Sequence, residues 1–304
     1  MPALSYITTC KGRLQHLQQS LARVAHQPHL ECIVVDYGCP ERCGDWVAAH
    51  YPSVRVVRTG PTEGFNASKA RNAGAALASA PWLGFFDADI LLDPAFSSLV
   101  VPELKSGNFY RANPLGTQTW GSILCQRDDF VRVGRYDECY SGWGGEDDDL
   151  VTMLRLHGLK PMGFPAALLG EIAHSDALRT RFCEIQDRWL QNRINRVYLE
   201  AKTDLLGMRR SPLSAQEAAA LYAEIHSTLS KAGTPDEVER TIQVTLAPQL
   251  LGSPAQRGQC QIFEMRKTIS YSVRVKAYVP QQEIKPAAMD SILPDYAAQK
   301  QATH

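Results

Sequence analysis

No stretch of this chain stays apolar for the roughly 20 residues that a helix needs to cross a bilayer. Net charge is lacking as well, since Lys plus Arg is 32 and Asp plus Glu is 32. Without a basic field there is nothing to recruit nucleic acid or an anionic lipid surface, and neither is an expected partner. The first residues enter a strand-like segment without the basic region and apolar core of a secretory leader. These absences predict no transmembrane segment and a cytoplasmic protein, either free or peripheral at the inner face of the membrane. Internal repeats are missing too. Cysteine is present, at eight positions, but scattered. Cys39 and Cys43 are the closest pair, and their C-x-x-x-C spacing has no second close pair to complete a zinc site. Reduced, mostly buried thiols are expected.

What the chain concentrates is acid. Gly142-Trp143-Gly144-Gly145-Glu146-Asp147-Asp148-Asp149 holds three glycines, an aromatic and four carboxylates directly before the apolar run Leu150, Val151, Met153, Leu154, Leu156. Acids in the first turn of a helix are favoured by the macrodipole and cap free N–H groups, which accounts for one or two of them. Four adjacent carboxylates repel one another, so capping gains little from the third and fourth. Proton or metal chemistry and helix capping both stand as readings of this stretch.

The order of elements predicts an α/β fold. Residues 3–9 read as a strand, followed by a polar turn and a helix with Leu14, Leu17, Leu21 and Val24 at three- and four-residue steps. Residues 31–36 form an apolar strand ended by Asp36, and 54–58 a third strand. A helix-forming segment from Phe65 to Leu77 precedes Trp82-Leu83-Gly84-Phe85-Phe86 and then Asp87-Ala88-Asp89. Strands alternating with helices imply a mostly parallel sheet flanked by helices, with ligands beyond the carboxyl ends of the strands. Thr8, Thr9, Asp36 and Asp87 to Asp89 all fall there. Further on, 160–164 and 168–173 read as short strands, 178–203 as a long amphipathic helix, and 213–231 and 235–250 as two more helices. Residues 268–279 alternate like a strand, in a hairpin with 261–263. The expected division is a catalytic domain over 1–204 and a mainly helical C-terminal extension over 205–304.

Two carboxylates two positions apart at an exposed strand end can share a divalent cation that also takes diphosphate oxygens. Asp87-Ala88-Asp89 offers this pair. In the same order, Thr8-Thr9-Cys10-Lys11-Gly12-Arg13, Asp36, Ala70-Arg71-Asn72-Ala73-Gly74 and Asp87-Ala88-Asp89 resemble the family 2 glycosyltransferases of the GT-A fold. Phe65-Asn66 with Lys69, Asn72 and Gly74, and above all Trp143-Gly144-Gly145-Glu146-Asp147, are similar to beta-1,4-galactosyltransferases and chondroitin-type polymerases. The resemblance covers about residues 3–180.

It implies a transferase that moves a hexose or N-acetylhexosamine, with galactose or N-acetylgalactosamine favoured, from a UDP-sugar to an acceptor hydroxyl with inversion. It implies Asp36 at the uracil end and Arg71 near the nucleotide, with Thr8, Thr9, Arg13, Asn66, Asp87, Trp143 and Gly145 completing the donor side. Asp147 would be the base, and Glu146 would shape the sugar and acceptor pockets. Asp89 and His174 would bind Mn2+ or Mg2+. In the beta-1,4-galactosyltransferases a Met lies three residues before that His; here it is Glu171, a harder ligand that suits the same ions. The acceptor would be a carbohydrate, a lipid-linked glycan or a peptide, in surface glycan synthesis. Two alternatives stand beside this reading: a retaining UDP-N-acetylgalactosaminyltransferase, and a non-catalytic nucleotide-sugar-binding assembly partner.

Overall fold

The computed structural model describes residues 1–60, 62, 64–116, 118–173, 178, 180–209, 211–231, 239–245, 249–253, 261–265 and 267–274. The chain divides into two compact units, Met1–Ser230 and Lys231–His304.

The first unit is built on a seven-stranded sheet in the order β3-β2-β1-β4-β7-β6-β8. Its strands are β1 (Leu4–Cys10), β2 (Leu30–Tyr37), β3 (Arg55–Thr59), β4 (Trp82–Phe85), β6 (Asn108–Asn113), β7 (Ile123–Gln126) and β8 (Lys160–Pro165). All run parallel except β7, which is antiparallel to both neighbours. Residues 4–8 of β1 and 32–37 of β2 are buried throughout, as strands covered by helices on both faces must be. A short pair, β5 (Ile90–Leu92) with β9 (Leu169–Glu171), lies outside this sheet.

Alternation along the strands sends side chains into two core layers. Tyr6, Val34, Trp82 and Leu124 pack with Leu17 and Leu21 of α1 (Leu14–Val24). Ile7, Ile33, Phe85 and Ile123 pack on the other face with Phe130 of α5 (Arg127–Arg132) and with Leu150, Val151, Met153 and Leu154 of α6 (Glu146–Leu156). Helix α3 (Ala67–Leu77) sits against β1 and β2 so closely that a Cβ on Gly74 would stand 2.5 Å from Ile7 Cγ2. Further helices of this unit include α2 (Cys43–His50), α4 (Phe96–Val100), α7 (Arg188–Arg209) and α8 (Ala215–Leu229).

Because β1, β2, β3 and β4 are parallel, Cys10, Tyr37, Thr59 and Phe85 end at one edge of the sheet, the edge expected to carry the site. The long helix begins ten residues later than its apolar spacing suggests. Asp187 Oδ1 accepts from the backbone N–H of Trp189 at 2.9 Å and of Leu190 at 3.1 Å, and this cap fixes the start. Position 204/205, the division expected from composition, lies inside α7, and the compact units separate at Ser230/Lys231.

In the second unit, β10 (Glu239–Thr245) pairs antiparallel with β13 (Thr268–Arg274), and β11 (Gln249–Ser253) with β12 (Gln261–Met265). The helix expected over 235–250 is therefore replaced by strands within its described residues. Thr241, Ile242, Val244 and Thr245 are β-branched, and the stiffness of such side chains favours the pleated surface over a helix.

Candidate active site

Gly142, Gly144 and Gly145 have φ of 68°, 87° and 94°, a region that side chains with a Cβ rarely adopt. Space is equally restrictive: a Cβ on Gly145 would lie 2.9 Å from both Asn195 Cβ and the Tyr140 ring. The loop is held from behind by α7. Asn195, fully buried, donates through Nδ2 to the carbonyl oxygens of Ser141 (3.0 Å), Trp143 (3.3 Å) and Gly144 (2.6 Å). Its own Oδ1 accepts from the Tyr222 hydroxyl at 2.8 Å and from Gln191 Nε2 at 3.4 Å. Trp143 is half-buried, with the Arg188 guanidinium 4.7 Å from its ring centroid.

All four acids that follow are partnered, two of them by one guanidinium. Glu146 accepts from Arg71 Nη1 at 3.0 Å, and Asp147 Oδ1 accepts from the same nitrogen at 3.0 Å and from the Tyr136 hydroxyl at 3.1 Å. Asp148 accepts from the Trp120 indole at 2.7 Å and pairs with Arg196 at 2.8 Å. Asp149 pairs with Lys202 at 2.8 Å, and Lys202 also reaches Asp137 at 2.7 Å.

Arg71 is the joint of the site. Its Nη2 lies 2.9 Å from Asp87 Oδ1, so one guanidinium binds the first acid of the Asp-x-Asp pair and two acids of the α6 start. The Arg71 side chain is 5% exposed and that of Asp87 43%, so the guanidinium forms the floor and Asp87 faces outward. Gly121 makes room for this arrangement: a Cβ there would stand 2.8 Å from Asp147 Oδ2 and 3.2 Å from Arg71 Nη2.

Burial dominates the proton affinities. It raises Glu146 above the usual carboxylate range, and the Asp147 charge adds to this against the pull of Arg71. Asp147 is raised by burial in the same way, with Arg71 opposing. Burial also lifts Asp149 to about 6 despite Lys202. Desolvation opposes the charge on Arg71, but the surrounding carboxylates more than offset it and its pKa rises.

The Asp-x-Asp end is assembled differently. Arg13 Nη1 approaches Asp89 Oδ2 at 3.4 Å, and the backbone N–H of Ile172 donates to the Asp89 carbonyl at 2.9 Å. Strand β9 thus brings Glu171, opposite Ile90 and exposed, alongside Asp89. His174 lies outside the described residues. Among the described residues Asp87, Asp89 and Glu171 do not converge as a trio of metal ligands; the group that does is Cys10, Cys39 and Cys43.

Two expected donor contacts are engaged in holding loops. Asp36 Oδ1 accepts from Cys39 N at 2.7 Å and Oδ2 from Gly44 N at 2.9 Å, so its carboxylate clamps the turn into α2. Asn66 caps α3 through Lys69 N at 2.8 Å, and its amide donates to the carbonyls of Glu138 (3.1 Å) and Tyr140 (2.7 Å). Thr8 is buried inside β1, and Thr9 is half-buried beside it. A cavity of about 590 Å³ lies nearby, lined by residues including Tyr37, Phe65, Asn66, Ser141, Arg181 and Phe182.

Tyr136, Trp120, Gly121, Asn195, Arg196 and Lys202 were not legible as site residues from motifs. One signal did exist. Gln191, Asn195, Tyr198 and Lys202 fall at four-, three- and four-residue steps, a polar stripe at the spacing of a helix face turned inward.

Comparison with known proteins agrees with this architecture. Residues 5–113 match the family model "Glycosyl transferase family 2", and residues 109–177 match "N-terminal domain of galactosyltransferase". A curated relative, validoxylamine A glucosyltransferase of Streptomyces hygroscopicus subsp. jinggangensis, is 24% identical over 52% of this chain and 53% of its own length. The chain therefore spans about half the length of the curated relatives it matches. Among solved structures, S. aureus TarS 1–349 aligns with a TM-score of 0.51 at 12% identity, covering 75% of this chain and 73% of TarS. Its complex with UDP-GlcNAc gives 0.51 at 11% identity, over 74% and 72%. At such identities the likeness speaks for the fold alone. No helix of the described residues is long and apolar enough to cross a membrane. This chain therefore carries a family 2 glycosyltransferase-type domain over residues 5–113, continued by a galactosyltransferase-type segment over 109–177, on a GT-A-like sheet with the acidic motifs at its carboxyl edge.

Proposed function

We propose that this enzyme transfers a hexose or N-acetylhexosamine from a UDP-sugar to an acceptor hydroxyl with inversion of configuration, and depends on a divalent metal. The observation that carries the reading is Arg71, whose single guanidinium binds Asp87 on one side and Glu146 and Asp147 on the other. It joins the strand end suited to a diphosphate to the acids suited to an acceptor.

Asp147 is the base in this reading. A carboxylate raised by burial holds a proton more readily than a solvated one, which suits it to take the proton of an attacking hydroxyl. Tyr136 and Arg71 fix its orientation, and Gly121 leaves the space beside its second oxygen. Glu146, on the same guanidinium, supports that geometry. The half-buried Trp143 face, steadied by Arg188, offers a flat surface for a sugar ring.

Asp89 would hold the metal together with donor phosphate oxygens, with Glu171 next to it and His174 following in sequence. Hard carboxylate oxygens suit Mn2+ or Mg2+. When bound, the ion would neutralise charge developing on the leaving UDP. Arg13, 3.4 Å from Asp89, orients the carboxylate from the protein side. The cavity bordered by Tyr37, Phe65 and Phe182 supplies aromatic walls on the nucleotide side. The galactosyltransferase-type segment favours galactose or N-acetylgalactosamine as the transferred sugar, and the glucosyltransferase relative makes glucose the second candidate.

The test is a panel of UDP-galactose, UDP-N-acetylgalactosamine, UDP-glucose and UDP-N-acetylglucosamine with Mn2+ or Mg2+ and a broad acceptor set. UDP release and the anomer of the product, by NMR, are the readouts. Asp147→Asn is expected to lower turnover by about 10²–10⁴-fold while UDP binding persists. An α-linked product from the α-configured donor would establish retention, and absence of any donor turnover would leave only the binding role.

A further inference from the structure

Cys10, Cys39 and Cys43 look unrelated in sequence, and the fold brings them together. Cys10 ends β1 beside Asp36 of β2, Cys39 lies in the turn that follows, and Cys43 opens α2. Their three sulfurs lie within 4.8 Å of one another, and all three residues are buried. The turn is fixed so that this convergence persists. Asp36 grips it at both ends, through Cys39 N and Gly44 N, and a Cβ on Gly44 would stand 2.7 Å from Asp36 Oδ2, so only glycine admits the clamp. Arg42 adopts φ of 52° to turn the chain into α2.

The geometry points to a structural site for one thiophilic d10 metal ion, Zn2+ or Cu+, held by Cys10, Cys39 and Cys43. An ion about 2.3 Å from each sulfur holds the sulfurs about 4 Å apart, so the group needs to contract by less than about 1 Å. Thiolate is the soft donor that selects such ions over the hard ions suited to the Asp-x-Asp end. Preparation for negative charge is visible. The Gly12 N–H donates to Cys39 Sγ at 3.2 Å, and Cys43 sits at the positive end of α2. Lys11, whose ammonium donates to Thr62 and Gly64, adds a cation close enough to interact with Cys39. Among the described residues no histidine or carboxylate joins the three sulfurs, which makes the protein donor set three thiolates. An ion there would tie the β1 end, which continues into Arg13, to the β2–α2 turn. It would fix two loops at the sheet edge whatever sugar the enzyme uses.

The full chain, reduced and exchanged into metal-free buffer, is titrated without oxygen with Zn2+ and, separately, with Cu+. Retention is measured by metal analysis after desalting, by the ultraviolet thiolate-to-metal charge-transfer band, and by the thermal midpoint. One ion per chain is expected, with a rise in the midpoint because only the folded chain presents the three sulfurs. Cys39→Ser and Cys43→Ala should each remove the ion and the band, whereas Cys32→Ser, a buried thiol outside the group, should keep both. Circular dichroism checks the fold of each variant. For any that do not fold, the labelling rate of Cys39 and Cys43 in the wild-type chain, read by peptide mass, should fall on adding metal. The proposal is overturned if the wild-type chain retains no ion, if Cys39→Ser retains it, if Cys32→Ser loses it, or if metal leaves the labelling rates unchanged.

Discussion

Replacing Arg71 by Met removes a buried cation and leaves Glu146 and Asp147, 10% and 13% exposed, without their shared partner. Breaking a buried ion pair from one side costs about 3–5 kcal/mol, and that loss is expected in urea unfolding at pH 8. The stranded carboxylates can relieve the penalty by taking up protons. Both are already raised by burial in the presence of Arg71, and without it the largest opposing influence is gone. The folded variant then binds more protons than the unfolded chain over a window above the ordinary carboxylate range. Stability of a group raised in the folded state falls as pH rises, so Arg71→Met should regain stability on acidification. One extra bound proton is worth about 1.4 kcal/mol per pH unit, so up to about 2.7 kcal/mol should return between pH 8 and pH 6. The wild-type chain should show a flatter dependence over the same interval. Parallel pH profiles for the two proteins would refute the idea that Arg71 neutralises these acids.

Three further outcomes test the supporting structure. Asn195→Asp keeps the size of the side chain but turns an oxygen toward three loop carbonyls; a loss of about 3 kcal/mol or more in urea unfolding is expected, and a change below about 0.5 kcal/mol would sink the role given to Asn195. Gly121→Ala places a methyl 2.8 Å from Asp147 Oδ2; UDP-sugar turnover should fall by about 10²-fold with little change in unfolding, and unaltered turnover would contradict the geometry. Glu31 binds Ser5, Ser79 and Arg55; burial opposes its charge, but these partners more than offset that and hold its pKa down at about 2. A depressed acid contributes stability that is present above its unfolded value, about 4.5, and is lost as pH falls toward 2. Glu31→Gln should therefore weaken the fold most at neutral pH and converge with wild type as pH drops, and a pH-independent difference would reject the linkage.

The alternation of strands and helices up to residue 173 was readable because each element there has its own period and its own stop signal. Apolar runs such as Cys32-Ile33-Val34-Val35 mark buried parallel strands, and Asp36, Asp87 and Asp89 fall at or just beyond strand ends, where the apolar run stops. Where propensity met a different local cause, the reading shifted. The start of α7 depends on Asp187 capping, and 239–245 contains enough alternating β-branched residues to pair as a strand. Asp36 and Asn66 could be placed but not interpreted, because a polar residue at a strand end or before a helix reads the same whether it faces a ligand or binds backbone N–H groups. The trithiol group was hidden for a simpler reason. Thirty-three residues separate Cys10 from Cys43, and only the pairing of β1 with β2 makes them neighbours.

The acidic start of α6 now divides into parts with different physical roles. Gly145 has no side chain with which to cap, and the four acids occupy the first turn, where the helix dipole favours negative charge. Capping alone would leave the carboxylates interchangeable, and they are not. Asp149 points down to Lys202 and Asp137 and fixes α6 to α7; Asp148 ties the helix to Trp120 and Arg196; Glu146 and Asp147 meet Arg71 and, through it, Asp87. Repulsion among four neighbouring charges is relieved by sending them to three separate cationic sites. Two of those sites, Arg196 and Lys202, lie on α7 beside Asn195, which holds the glycine loop. A helix outside the stretch that carries the resemblance therefore positions the Gly142–Asp149 loop and helix start. Substitutions along the Gln191, Asn195 and Lys202 face should reach Asp147 through the loop and α6, without touching a substrate.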